Sequence, residues 1–435
     1  MISLFRPGLL PPGTTTWSRR ELLGLFARSA GAAALAPSMV SLLSEHLLAQ
    51  EHARRSSAPR LILLWLEGGP SQLETFDPKP GTPTGGPTRG IATDAKGWLF
   101  AEALPGLARR AADLAVIRSM TSKEGNHSRA RMLVQCGYVP TPTVSFPSLG
   151  SIVAHELGDV QHELPAFVQV NGAPIGAGHL GVTSSPFVVN NPTGRIENLA
   201  PARDVNARRL DHRGSMVDLL DEEFTKRGGG PAVESNRAQR ARARRLMDSR
   251  LLTAFDLEQE KEGVRDAYGR GDFGQGVLLA RRLLEHGVQA VQVVLNGWDT
   301  HQDNFGRTTA LGGQLDAAFS ALIDDLKRRD LFGETVVVCM GEFGRTPEIA
   351  AGDGRNHWPG NWCVALAGGR IRGGTVVGAT DELGQKIVER PVQVADLFAT
   401  LAAALTLDRD REYLAGKRPV KLIDPDGRVV RDLLA

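Results

Sequence analysis

Arg60-Leu61-Ile62-Leu63-Leu64-Trp65-Leu66, followed by Glu67-Gly68-Gly69-Pro70, is the stretch on which the fold turns. An unbroken apolar run of this length, closed by glycines and a proline, reads as a buried parallel strand and then a loop. The same pattern recurs outward along the chain. Leu114–Ile117, Ala166–Val170, Val288–Leu295, Thr335–Met340 and Cys363–Ala367 read as further strands. Between them, residues 129–135, 149–157, 276–285, 315–329 and 392–405 carry helical spacing. Strands alternating with helices predict an α/β fold with a mostly parallel sheet. Residues 171–270 interrupt this rhythm and are expected to form an insertion over one edge or the mouth of the sheet. Within them, 235–260 predicts one long helix with Met247, Leu251, Ala254 and Phe255 on an apolar stripe. Its Arg237, Arg240, Arg242, Arg244 and Arg245 read as a solvated face, the alternative being a site for an anionic partner.

Composition sets the bounds. The chain has 435 residues, 42% hydrophobic and 23% charged, which excludes disorder as its main state. No segment of the mature chain approaches the ~20 uninterrupted apolar residues of a membrane span. Lys+Arg (51) and Asp+Glu (49) nearly cancel at +2, so the basic excess of a nucleic-acid binder is absent. Cys136, Cys339 and Cys363 form no CxxC pair and are too few for a disulfide scaffold; Cys339, inside an apolar run, reads as a small buried hydrophobe. The 49 glycines and 25 prolines point to many shaped loops between regular elements. At the N-terminus, Ser18-Arg19-Arg20-Glu21-Leu22-Leu23 before a weakly apolar stretch reads as a twin-arginine export leader of about 50 residues. The alternative is an amphipathic helix with two surface arginines. The leader implies the twin-arginine machinery as a partner, a periplasmic or otherwise exported destination, and no stable membrane span once it is removed. That route carries folded proteins, often already loaded with a cofactor.

In α/β sheets, ligands gather at the carboxyl ends of strands, so the residues after each strand matter most. Glu67 ends the first. Asp299-Thr300-His301-Gln302-Asp303 follows Leu295; Glu342 and Arg345 follow Met340; His357 comes later, in Gly354-Arg355-Asn356-His357. Carboxylate oxygens and imidazole nitrogens suit Zn²⁺, Mn²⁺ or Fe, and pure oxygen sets suit Ca²⁺ or Mg²⁺. Asp299, His301 and Asp303 alternate, so in an extended stretch all three face one ion; the bland alternative is a polar loop capping a helix. Glu342 and Arg345 alternatively pair with each other. Asn126-His127-Ser128-Arg129 opens a helix after the 114–117 strand, where free N–H groups and positive potential suit an oxyanion. There His127 and Ser128 are candidates for nucleophile, acid/base or ligand, while Ser128 alternatively only caps the helix.

Taken together, Gly68-Gly69-Pro70-Ser71 through Pro80, Trp298-Asp299-Thr300-His301, Gly341-Glu342-Phe343-Gly344-Arg345-Thr346-Pro347 and Gly354–His357 resemble the exported bacterial domain of unknown function 1501 family. More broadly they resemble the alkaline phosphatase/sulfatase superfamily, over about Arg60–Leu407. The resemblance implies a three-layer sandwich over 58–435. It implies a divalent metal (Zn, Mn, Ca or Mg) held by Glu67, Asp299, His301, Asp303, Glu342 and His357. His127, Ser128, Arg129 and Arg345 would then orient or clamp the substrate, a sulfate or phosphate ester of a small molecule or carbohydrate. Two departures stand out: Phe343 replaces a ligating histidine, and Gly125 falls where the superfamily's sulfatases carry their modified nucleophile. A catalytically degenerate protein that binds a ligand or an envelope partner is the rival expectation.

Overall fold

In a computed structural model, the protein is described at residues 58–194, 196, 199 and 204–435. The predicted leader lies outside the described residues. Residues 57–435 form one compact unit.

The strands of the central sheet are β1 (Arg60–Glu67), β2 (Leu114–Thr121), β3 (Phe167–Val170), β4 (Phe187–Val189), β5 (Ala290–Asn296), β6 (Thr335–Met340), β7 (Trp362–Ala367), β8 (Thr375–Val377) and β9 (Val392–Gln393). The nine strands run β8-β2-β7-β6-β1-β5-β3-β4, with β9 also paired to β2. β1 is central, parallel to β5 (Leu61↔Ala290 through Glu67↔Asn296) and to β6 (Arg60↔Thr335 through Trp65↔Met340). β7 runs antiparallel to both its neighbours, β2 and β6. Its beginning therefore lies at the edge where the other strands end.

The helices are α1 (His127–Cys136), α2 (Leu149–Glu156), α3 (Ala207–Phe224), α4 (Gly230–Asp248), α5 (Asp272–Glu285), α6 (Asn304–Arg328) and α7 (Val394–Ala404), with shorter turns between. The period-2 alternation of a strand assigns each β1 side chain to one layer. Ile62, Leu64 and Leu66 pack with Val277, Leu278, Leu315 and Phe319 of α5 and α6. Leu61, Leu63 and Trp65 face Leu133, Ile152, Val153, Leu397 and Phe398 of α1, α2 and α7. All six β1 residues are at most 2% exposed, and full burial of such side chains contributes ~1.5–3 kcal/mol each. The result is a three-layer α/β sandwich with a mostly parallel sheet, the class expected from the sequence. The three cysteines are free and buried; burial pushes the Cys136 thiol up to about 12.

Residues 171–270 contribute the edge strand β4 and the α3–α4 helical hairpin. The single long helix expected over 235–260 is corrected. α4 stops at Asp248 because Ser249 turns extended (ψ 134°) and its Oγ caps Leu251 N at 3.0 Å. The arginine run is not simply solvated either. Arg240 meets Asp218 (3.0 Å) and Asp221 (2.6 Å) of α3, and Arg244 meets Asp211 (2.5 Å). Among the described residues, no helix is long and apolar enough to cross a membrane.

Candidate metal centre

Four chain segments meet at the carboxyl edge of the sheet. After β2 the chain enters α1, with Asn126 as its cap (Oδ1 to Arg129 N, 3.3 Å) and His127 in its first turn. After β5 comes the Gly297–His301 turn. After β6 come Glu342, Phe343 and Arg345. Before β7 lies His357, paired antiparallel with Arg345 in a two-residue ladder.

Their side chains converge on the Asp299 carboxylate. Asp299 Oδ1 lies 3.4 Å from His127 Nε2, 3.2 Å from His301 Nε2 and 3.4 Å from His357 Nε2. Atoms of His127, Asp299 and His357 suited to metal ligation all fall within 4.8 Å of one another. His301 Nε2 stands 3.0 Å from His357 Nε2.

The far nitrogen of each ring also has an acceptor, which favours the Nδ1–H tautomer. His127 Nδ1 lies 2.7 Å from Glu342 Oε1, His357 Nδ1 2.9 Å from the Gly125 carbonyl, and His301 Nδ1 3.2 Å from Asn356 Oδ1. With the proton on Nδ1, where these acceptors can hold it, each ring turns an Nε2 lone pair toward Asp299. His127 Nε2 is buried without a hydrogen-bond partner. Three lone pairs beside a carboxylate repel one another unless a cation sits among them. In a tetrahedral site, ligand bonds of ~2.0–2.1 Å set neighbouring donors ~3.3 Å apart, close to the 3.2–3.4 Å that separate Asp299 Oδ1 from the three Nε2 atoms. The residues present thus fit a divalent metal.

Protonation competes with ligation at His127 and gives way to it at His357. Glu342's hydrogen bond, against some burial, holds His127 above the usual imidazole range. Burial pulls His357 below it, opposed by the Gly125 carbonyl. Burial alone would raise the Asp299 carboxyl, but the hydrogen bond and charge of Arg345, with His127 and His301, outweigh it and hold it low.

Several expected roles change. Glu342 does not face Asp299: it is fully buried behind His127, and its two oxygens accept Gly68 N–H at 3.0 and 3.2 Å. It orients an imidazole, a partnership common behind metal-bound histidines. Arg345 is no free anion clamp. Also fully buried, it donates Nε to Gly69 O (2.9 Å), Nη1 to Arg355 O (3.2 Å) and Nη2 to Gly68 O and Asp299 Oδ1 (2.6 Å). Its hydrogen bonds fix Asp299 in place. Ser128 is exposed on α1 and does not cap it, because Asn126 does. Arg129 is exposed and paired with Glu124 (2.6 Å). Asp303 opens α6 in a left-handed conformation (φ 47°), its carboxylate lying over Gly306. Glu67 stands apart: it accepts the Trp65 indole N–H and faces Arg131 at 3.5 Å. Burial raises its carboxyl, with Arg131 opposing.

The sequence offered His127 as nucleophile, acid/base or ligand, and the resemblance set it among the substrate-orienting residues; the structure places it in the cluster around Asp299. Its signal was present: a histidine in the first turn of a helix that follows a buried strand. Phe343 is buried with its ring centroid 4.9 Å from His127 and 4.7 Å from His357, so it packs against both imidazoles, which themselves meet edge to face at 4.3 Å.

Known structures of similar shape include the PsFucS1 sulfatase from Pseudoalteromonas sp. (11% identity, TM-score 0.40, 85% of this chain and 72% of that one). A protein in the alkaline phosphatase superfamily from Vibrio parahaemolyticus gives 12%, 0.38, 87% and 71%. The phosphonate monoester hydrolase of Agrobacterium radiobacter gives 12%, 0.38, 86% and 77%. Likeness at this level carries no information on chemistry. No curated protein matches the chain. A family model does match, across residues 58–434, and the chain belongs to that family, described as protein of unknown function, DUF1501.

Proposed function

We propose that the protein is an exported hydrolase-like protein that binds one divalent cation through His127, Asp299, His301 and His357 and acts on a sulfate or phosphate ester. The observation that carries this reading is the set of three imidazole Nε2 atoms gathered on one carboxylate, with His127 Nε2 buried and without a hydrogen-bond partner. A set rich in imidazole suits zinc or manganese better than calcium or magnesium, which prefer all-oxygen cages. When bound, the cation would supply Lewis-acid polarisation of an ester oxygen.

The chain's own residues do the rest. Glu342 keeps the His127 proton on Nδ1, and Gly125 O does the same for His357. Arg345 holds Asp299 against the turn that carries it. The first N–H groups of α1 lie beside the cluster and attract an anionic ester.

One observation favours a second reading, a cation-binding protein without turnover. Gly125 sits against the cluster through its carbonyl, and a Cβ there would meet nothing nearer than Pro359 at 3.7 Å. There is room for a nucleophile where the chain has none.

Assaying sulfate and phosphate monoesters with single cations added back separates the two. Cation-dependent turnover that Asp299→Ala lowers by ~10²-fold or more supports the hydrolase. Cation binding without turnover on any ester supports the second reading. Because ligation needs neutral imidazoles, binding should weaken as pH falls. Proton competition should begin at His127, whose imidazole holds its proton to higher pH than an ordinary histidine.

A further inference from the structure

Helix α3 is built the wrong way round for a surface helix. Its acidic face, Asp211, Asp218 and Asp221, is turned toward the arginines of α4. The opposite face carries Met216 (54% exposed), Val217 (36%), Leu219 (67%), Leu220 (66%) and Phe224 (54%). Met216, Leu219, Leu220 and Phe224 recur at i, i+3, i+4 and i+8, so they form one stripe. None of the α3 residues is buried. The hairpin turn presents the helix outward and is glycine-dependent, since Gly228 sits at φ 95°. The stripe exposes on the order of 500 Å² of apolar surface, at the upper end of what monomers leave uncovered.

Charge along the helix indicates what covers it. With Asp211, Asp218 and Asp221 turned to α4, the charges left are Arg208, Arg209, His212 and Arg213 in the N-terminal half and Glu222 and Glu223 in the C-terminal half. An anionic membrane would be repelled by the second half. A second α3 laid antiparallel complements both halves. The register that sets Met216 against Leu220 of the second copy also sets Arg213 against Glu223 of the second copy. Two stripes together bury on the order of 1,000 Å², the lower bound for a specific interface.

We infer that α3 is a self-association surface through which two copies of this chain pair antiparallel about a two-fold axis. This is independent of the cation site. At this size the pairing is expected to be reversible, as in the smaller, transient class of interfaces.

Sedimentation velocity of the full chain over ~1–100 µM tests it. The expected result is a concentration-dependent monomer–dimer equilibrium. Leu220→Asp should weaken it by at least ~10-fold, with the thermal melt unchanged because the side chain is exposed. Arg213→Glu should weaken it as well, and Arg213→Glu with Glu223→Arg should restore it. A monomer at every concentration overturns the proposal. So does a dimer indifferent to Leu220→Asp and Arg213→Glu, as pairing through residues 1–56 would give, or a stripe that instead binds phosphatidylcholine/phosphatidylglycerol vesicles.

Discussion

Replacing Arg355 with leucine is expected to cost about 3–5 kcal/mol of stability, the largest loss from any single change near the site. Arg355 is fully buried and holds Glu74, itself 3% exposed, through Nε–Oε2 (3.0 Å) and Nη2–Oε1 (2.7 Å). It also donates to the carbonyls of Thr84 (2.7 Å), Thr346 (3.0 Å) and Pro347 (2.5 Å). Truncation leaves a buried carboxylate with two neutral donors, Asn304 Nδ2 (2.8 Å) and Thr88 Oγ1 (3.5 Å), and three carbonyls lose a charged donor. Thermal unfolding should move down by roughly 4–6 °C. Glu74→Leu in the same chain should recover part of that, because no unpaired charge remains. An Arg355→Leu protein that melts like wild type would show that the pair is not needed. The change should also disturb the centre. Arg355 N donates to Thr300 O (3.0 Å) and its carbonyl accepts from Arg345, so the loop bearing His357 is tied to the Asp299 turn through this residue.

Gly68→Ala is the second large effect, and it acts on the site directly. Gly68 sits at φ 114°, where a side chain strains the backbone by ~1–3 kcal/mol. A Cβ there would also lie 2.4 Å from Asp299 N and 2.8 Å from Trp298 C, atoms of backbone that cannot swing aside. Gly68 N–H anchors Glu342, and its carbonyl takes an Arg345 N–H, so one methyl group pushes on three supports of the centre. A displacement approaching 1 Å should lower cation affinity by ~10²-fold. Calorimetric titration measures this; unchanged affinity would mean the turn has slack that the packing does not show.

The sheet was legible because its signal is local. The all-apolar run at 61–66, and the runs ending at Leu295 and Met340, declare strands without reference to anything distant. Part of the centre was legible for the same reason: Asp299, His301 and His357 stand just beyond, or just before, such runs. What sequence spacing does not carry is direction. Glu342 and Asp299 both follow strands, yet one points inward behind His127 and the other into the cluster, a distinction set by a contact 215 residues away. Arg345 looked free because its acceptors, Gly68, Gly69 and Asp299, come from other loops. The arginines of α4 looked solvated because their aspartates lie on a second helix.

Metal analysis of the purified full chain, beside His127→Ala and His357→Ala, tests the central claim most directly. About one equivalent of zinc or manganese per wild-type chain, lost from both variants with ~10²-fold or greater loss of affinity on titration, is the expected result. A wild-type chain that carries no stoichiometric metal and takes up none on titration, or variants that bind as wild type does, would contradict it.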